Sequence, residues 1–189
     1  MTRIPLPQGD DLDPEQRRVH DAIASLRNGH IPSHYRAALH NPELSDKWQQ
    51  LGELLRYRTS LPLRLSELAI LVTAKYHRCD YEWVMHEDVA RQAGLAEAVI
   101  ASIKQGQRPN FSHREDAAIY DYCAELFETK FVSDAVYQRA LDVIAARGIV
   151  ELTALVGYYA MVAMSVNAHQ LPLTAVKPKP RTQPAEPTA

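Results

Sequence analysis

Nowhere in these 189 residues do apolar and polar side chains alternate for long enough to build a convincing strand. Helix starts and stops, in contrast, recur along the chain. Asp13-Pro14-Glu15-Gln16 offers an N-cap, a proline at the first helical position and a glutamine three residues past the cap. Val19, Ile23 and Leu26 follow at helical spacing, and Gly29 supplies a stop. Asn41-Pro42 opens a second helix predicted to run to about Arg56, with Leu44, Trp48, Leu51 and Leu55 on one stripe. Ser112 with Glu115 predicts a capping box heading a helix that carries Ile119, Cys123, Leu126 and Phe127. Ser133 predicts the cap of the next helix, which should end before Gly148. A last helix from about Val150 to Ala168 is apolar on most faces, which predicts a place in the core or at a subunit contact. The expected fold class is all-α.

Hydrophobic residues make up 46% of the chain and charged residues 23%, enough to bury a core. The net charge of -2 provides no field to recruit nucleic acid or an acidic membrane surface. No uninterrupted apolar run reaches the roughly 18 residues that span a bilayer. The opening Met-Thr-Arg-Ile-Pro-Leu-Pro has no signal-peptide character, so a cytoplasmic location is expected. Two cysteines, Cys79 and Cys123, are too few for a disulfide framework. Three regions are expected: an N-terminal helical extension over 1–29, a main domain over 30–171, and a disordered proline-rich tail over 172–189.

Residues 64–105 carry the chemistry. Arg64 to Lys75 reads as a mostly buried helix containing Glu67. That carboxylate is either an exposed first-turn residue favouring the helix dipole, or it is buried and must be paired, protonated or facing a cleft. Asp80 is expected to cap a helix that continues to about Ala93. Cys79, Glu82 and His86 are spaced by three and four residues, which puts a thiol, a carboxylate and an imidazole on one helical stripe. A helix N-terminus favours a thiolate at Cys79, and a neighbouring carboxylate opposes it. Glu82 and His86 can exchange a proton or orient one another; equally, they can be a surface pair beside a core cysteine. One histidine and one glutamate make an incomplete metal site, so no metal and no cofactor is expected.

The runs Arg64-Leu-Ser-Glu-Leu-Ala-Ile-Leu71 and Tyr81-Glu-Trp-Val-Met-His86, followed by Ala90 and Gly94-Leu95, resemble the carboxymuconolactone decarboxylase family. The resemblance extends over roughly residues 30–172 and includes His40-Asn-Pro-Glu-Leu44 and the late helix through Gly157-Tyr158-Tyr159. It implies an all-α, alkylhydroperoxidase D-like helical bundle, assembled as a homotrimer or homohexamer with sites near subunit contacts. In the peroxidase-type relatives the motif is a glutamate, then twelve residues later Cys-x-x-Cys-x-x-x-His. Here Glu67 stands twelve residues before Cys79, Tyr81 stands where a histidine is common, Glu82 takes the second cysteine position, and His86 matches the motif histidine. The cysteine nearer the histidine is the one that reacts in those relatives, and glutamate cannot form a sulfenate or a disulfide.

Three functions follow as expectations. The first is acid-base chemistry, such as decarboxylation or a related lyase step, on a small carboxylated ring or lactone. Glu67, Glu82 and His86 would move the proton, His77 would be a second acid-base group, and Arg64, Arg78 and Tyr81 would hold the substrate. The second is a peroxiredoxin-type antioxidant using Cys79 alone with an external thiol. The third is a non-catalytic oligomeric binding protein.

Overall fold

The computed structural model describes residues 2–173. Most of the proline-rich tail expected over 172–189 therefore lies outside the described residues. Among those described there are eight α-helices, one short 3-10 turn and no strand. The helices are α1 (Pro14–Ser25), α2 (Ser33–Ala38), α3 (Pro42–Tyr57), α4 (Leu63–Tyr76), α5 (Asp80–Gln92), α6 (Glu97–Gln105), α7 (Arg114–Thr129) and α8 (Asp134–His169). The all-α expectation is met, and α2 and α6 are additions that sequence pattern did not supply.

The helix ends show which local signals were read correctly. Asp13 and Gln16 form the full reciprocal capping box at the head of α1. The Asn41 side chain accepts the Leu44 amide at the head of α3. The Ser112 box does not form: His113 is the N-cap of α7 and has no side-chain cap bond. Asp80 is likewise the first residue of α5, and Cys79 is its N-cap. Ser133 does cap α8 by position, but its hydroxyl bonds to Glu125.

Helix α4 is the centre of the bundle. Ten consecutive residues, Leu65 to Ala74, are buried, and the helix packs against α5, α6, α7 and α8. A helix buried on all faces has no room for uncompensated charge, which makes Glu67 exceptional. The buried face of α3 differs from the expected leucine stripe. Leu44 and Leu51 are exposed, and Ser45, Trp48, Gln49, Gly52 and Leu55 face inward. The polar, small character of that face leaves space beside the core.

The last two predicted helices are both present, as two helical stretches of α8 that meet at a kink. The break falls at Ala145 (φ 55°, ψ 176°), before Gly148 as expected, and Gly148 itself is buried in the second stretch. The stretch beyond the break is apolar enough to match a membrane span by length and composition, and half of that window is buried within the protein. Its inner side, including Leu152, Leu155, Tyr159 and Val162, closes the core, whereas Val150, Met161 and Met164 are exposed.

Ala145 is exposed and occupies a backbone region that essentially only glycine adopts without strain. Relief of about 1–3 kcal/mol of strain outweighs the roughly 0.4–1 kcal/mol that glycine adds to the unfolded chain's freedom. Ala145→Gly should therefore raise stability by about 1 kcal/mol, a Tm increase of about 2–4 °C by calorimetry. A lower Tm would contradict the strained geometry.

Candidate active site

Three ionisable side chains meet inside the bundle. Glu67 comes from the first turn and a half of α4, and Glu82 and His86 from one face of α5. Their exposures are 2%, 3% and 2% respectively. The His86 Nδ1–H donates to Glu67 Oε2 at 2.7 Å, and His86 Nε2 lies 3.4 Å from Glu82 Oε2. The imidazole is thus flanked by a carboxylate on each ring nitrogen. Tyr159 of α8 closes the array edge-on, with ring centroids 5.0 Å apart. Burial alone would push the His86 pKa down, but the Glu67 charge and hydrogen bond, together with Glu82, raise it above its usual value.

Glu82 and His86 open onto a cavity of about 610 Å³. That size suits a small organic ligand. Its walls come from α2, α3, α5 and α8 and from the loop at 26–32. Glu67 stands behind His86, outside the cavity lining. Tyr81 lines this cavity and also a smaller one beside Arg78 and the end of α8. Tyr35 and Tyr158 share a hydroxyl–hydroxyl bond of 2.6 Å on another wall. Gly52 makes that pairing possible, because a Cβ there would collide with both hydroxyls.

The remaining residues expected at the site lie elsewhere. Arg64 is bound to Asp116 of α7 and does not line the cavity. Arg78, in the left-handed connection between α4 and α5 (φ 51°), lines only the smaller cavity. His77 packs edge-on against Phe127. Cys79 is buried and does not line the main cavity. Burial pushes its thiol up to about 11, against the opposing pull of the Glu82 and Tyr81 amides, while the Glu82 charge raises it further. The helix-terminus effect expected to favour thiolate is therefore outweighed. Cys123 is also free and buried, with its thiol pushed up to about 12.

Arg56 and His34 also line the cavity, and no sequence motif includes them. Arg56, in the last turn of α3, lines the cavity. Burial works against its charge, but Tyr159, Tyr57, Glu67 and Glu82 together raise its pKa. Its spacing of four from Gly52 was the available signal, since it puts a cation on the face where a small residue makes room. His34, on α2, is buried against Trp48 and Tyr81, and desolvation lowers its pKa to about 4. It is neutral at pH 7, and no sequence pattern linked it to the Glu82–His86 stripe.

The sequence model of the carboxymuconolactone decarboxylase family matches residues 42–119. That segment contains Arg56, Glu67, Cys79, Glu82 and His86 but not His34 or Tyr159. Among the curated proteins, none matches this sequence. Among solved structures, a peroxidase-related protein from Silicibacter sp. TM1040 is 17% identical with a TM-score of 0.73, each chain being covered to 92%. An uncharacterised peroxidase-related protein with an alkylhydroperoxidase AhpD core, from Ralstonia eutropha JMP134, is 14% identical with a TM-score of 0.73, over 92% of this chain and 93% of that one. The debrominase Bmp8 in its apo form is 13% identical with a TM-score of 0.69, over 89% of this chain and 91% of its own. The chain therefore has the alkylhydroperoxidase D-like helical fold.

The raised pKa of His86 fixes a pH dependence. Protonated His86 is held more tightly in the folded than in the unfolded chain. The stabilisation is complete below the usual value of 6.5 and is lost as pH rises through the higher folded value. Glu67→Gln removes the main source of the shift. Denaturant titrations should show the wild type's advantage over Glu67→Gln, about 3 kcal/mol near pH 6, shrinking steadily toward pH 9. An advantage independent of pH would mean that His86 is neutral in the fold.

Proposed function

We propose that this chain, which carries the carboxymuconolactone decarboxylase sequence pattern on an alkylhydroperoxidase D-like fold, is an acid-base enzyme acting on a small carboxylated ring or lactone. The observation that carries this reading is the buried array Glu67–His86–Glu82 opening on the cavity through Glu82 and His86. Glu82 is the group in reach of substrate. His86 supplies or withdraws its proton, and Glu67 holds the imidazole in one orientation and stabilises its charged form.

In a decarboxylation, the bond between the ring carbon and its carboxylate breaks and carbon dioxide leaves. The electron pair passes into a conjugated carbonyl of the substrate. The carbon then takes a proton from Glu82, which is resupplied by His86, and His86 recovers its proton from solvent. The buried setting strengthens each of these electrostatic interactions relative to water. A related isomerisation would use the same groups, with a proton removed from one carbon and returned to another.

A thiol peroxidase reading has less support. Cys79 is buried, protonated at neutral pH, and outside the cavity lining, and the position beside His86 is a glutamate. The names of the structural neighbours, two of them peroxidase-related, are the argument in its favour.

Carbon dioxide release from a panel of small carboxylated lactones and conjugated ring acids, with one or two carboxylates, tests the proposal. Glu82→Gln and His86→Ala should each lower kcat by about 10²–10⁴-fold, and Cys79→Ser should leave it within about threefold of wild type. Absence of turnover by the wild type across the panel would sink the lyase reading. Loss of activity in Cys79→Ser with Glu82→Gln unaffected would return the chemistry to the thiol.

A further inference from the structure

The cavity contains a cation that the acid-base array does not use. Arg56 reaches the lining from α3, its Nε is buried, and that nitrogen has no hydrogen-bond partner. An arginine has five N–H donors and cannot discard its proton to relieve burial. A guanidinium left with an unmade buried bond, beside an open space of about 610 Å³, is a site prepared for an acceptor that arrives from outside. The Glu67 and Glu82 charges support it at a distance.

The charge count of the cavity decides the sign and number of charges on that ligand. Arg27 and Arg56 line it as cations, and Arg27 also lies over the Tyr35 ring at 4.9 Å. Glu82 contributes one negative charge, and His86 a positive one when protonated. Glu67, directly behind His86, contributes one more negative charge. His30 and His34, also in the lining, are held neutral by burial, with nearby cations lowering them further. With His86 in its charged form the sum is one positive charge. A monoanion neutralises it, a dianion overshoots it, and a neutral ligand leaves it uncompensated in a partly enclosed space. A second group awaits a partner: the buried Nδ1 of neutral His34 also makes no hydrogen bond. A neutral imidazole nitrogen suits a hydroxyl or carbonyl better than a charge.

We propose that Arg56 is the anchor for the single carboxylate of a ring-shaped monoanion, with His34 reading a hydroxyl or carbonyl elsewhere on the ring. The proposal rests on the cavity being the substrate site, as read above, and it specifies what that site selects. Arg56 offers a planar fork to a planar carboxylate, so the contact orients the ring as well as attracting it.

Calorimetric titration of the full chain with benzoate, salicylate, benzamide and benzylamine tests this without any turnover. Benzoate should bind saturably, at least tenfold more tightly than benzamide, and benzylamine should not bind. Arg56→Lys keeps the charge and loses the fork, and should weaken benzoate at least fivefold with little change for benzamide. Arg56→Met should abolish the preference between the two. His34→Phe should remove any advantage of salicylate over benzoate. Glu82→Gln should bind benzoate as well as or better than the wild type, so a failed decarboxylase assay with this pattern intact rejects the reaction and keeps the anchor. Equal affinity for benzoate and benzamide in the wild type, or unchanged benzoate binding in Arg56→Lys, would overturn the proposal. The wild-type comparison stands even if Arg56→Met does not fold.

Discussion

Two carboxylates and an imidazole lie at the meeting of α4, α5 and α8 with almost no contact with water, and the rest of the bundle has to accommodate them. An isolated buried carboxylate is costly enough that it would protonate or pull its helix toward solvent. Here each carboxylate has the same imidazole as partner, and Arg56 adds a second cation to the neighbourhood. The array is therefore close to neutral as a unit. That neutrality permits Glu67 to sit in a helix whose next turns, through Ala74, are wholly buried. The short α4–α5 connection, left-handed at Arg78, brings Glu82 and His86 back alongside Glu67.

Glu82 is the electrostatic centre of this arrangement. Its charge reaches His34 on α2, Arg56 on α3, Cys79 at the head of α5, and Tyr158 and Tyr159 on α8. A thiol in its place would be smaller and, when protonated, uncharged. The carboxylate thus changes more than the reactive atom. Burial already raises the Cys79 thiol and the Tyr158 and Tyr159 hydroxyls, and the carboxylate adds to all three and supports the Arg56 cation. These effects favour handling protons and disfavour nucleophilic sulfur.

The sequence made the helical class and the α5 stripe visible because both depend on short-range spacing. Asp13, Asn41 and the 79–82–86 stripe are readable within one or two turns. Glu67 was ambiguous for a physical reason: position in the first turns of a helix is compatible with solvent or with core, and only the neighbour across the bundle decides. Two of the helix starts were displaced by one residue, at His113 and Cys79, since a candidate capping side chain near a start does not ensure that it makes the bond. The break in α8 falls at Ala145, before Gly148 as the composition indicated, but at a residue with no sequence mark of its own.

The cavity walls were the least visible part, and the reason is topological. Arg27, His34, Arg56 and Tyr159 come from four segments separated by up to 132 residues, and no local period connects them. Arg64 and Arg78 flank the Glu67 and Glu82–His86 segments in sequence. Flanking in sequence is weak information in a helical bundle, where an arginine one or two turns away points to another side. Arg64 faces α7 and finds Asp116, while Arg56, farther along the chain from His86, comes to the cavity because α3 crosses it. What could have separated them is the company each keeps on its own helix. Arg64 is followed at four residues by Leu68, in a packed interface, and Arg56 is preceded at four by Gly52, whose missing side chain leaves room for the Tyr35–Tyr158 pair and the cavity beside it. In such a bundle, space left by a small residue is a better guide to where a charged side chain can meet a ligand than nearness to a motif.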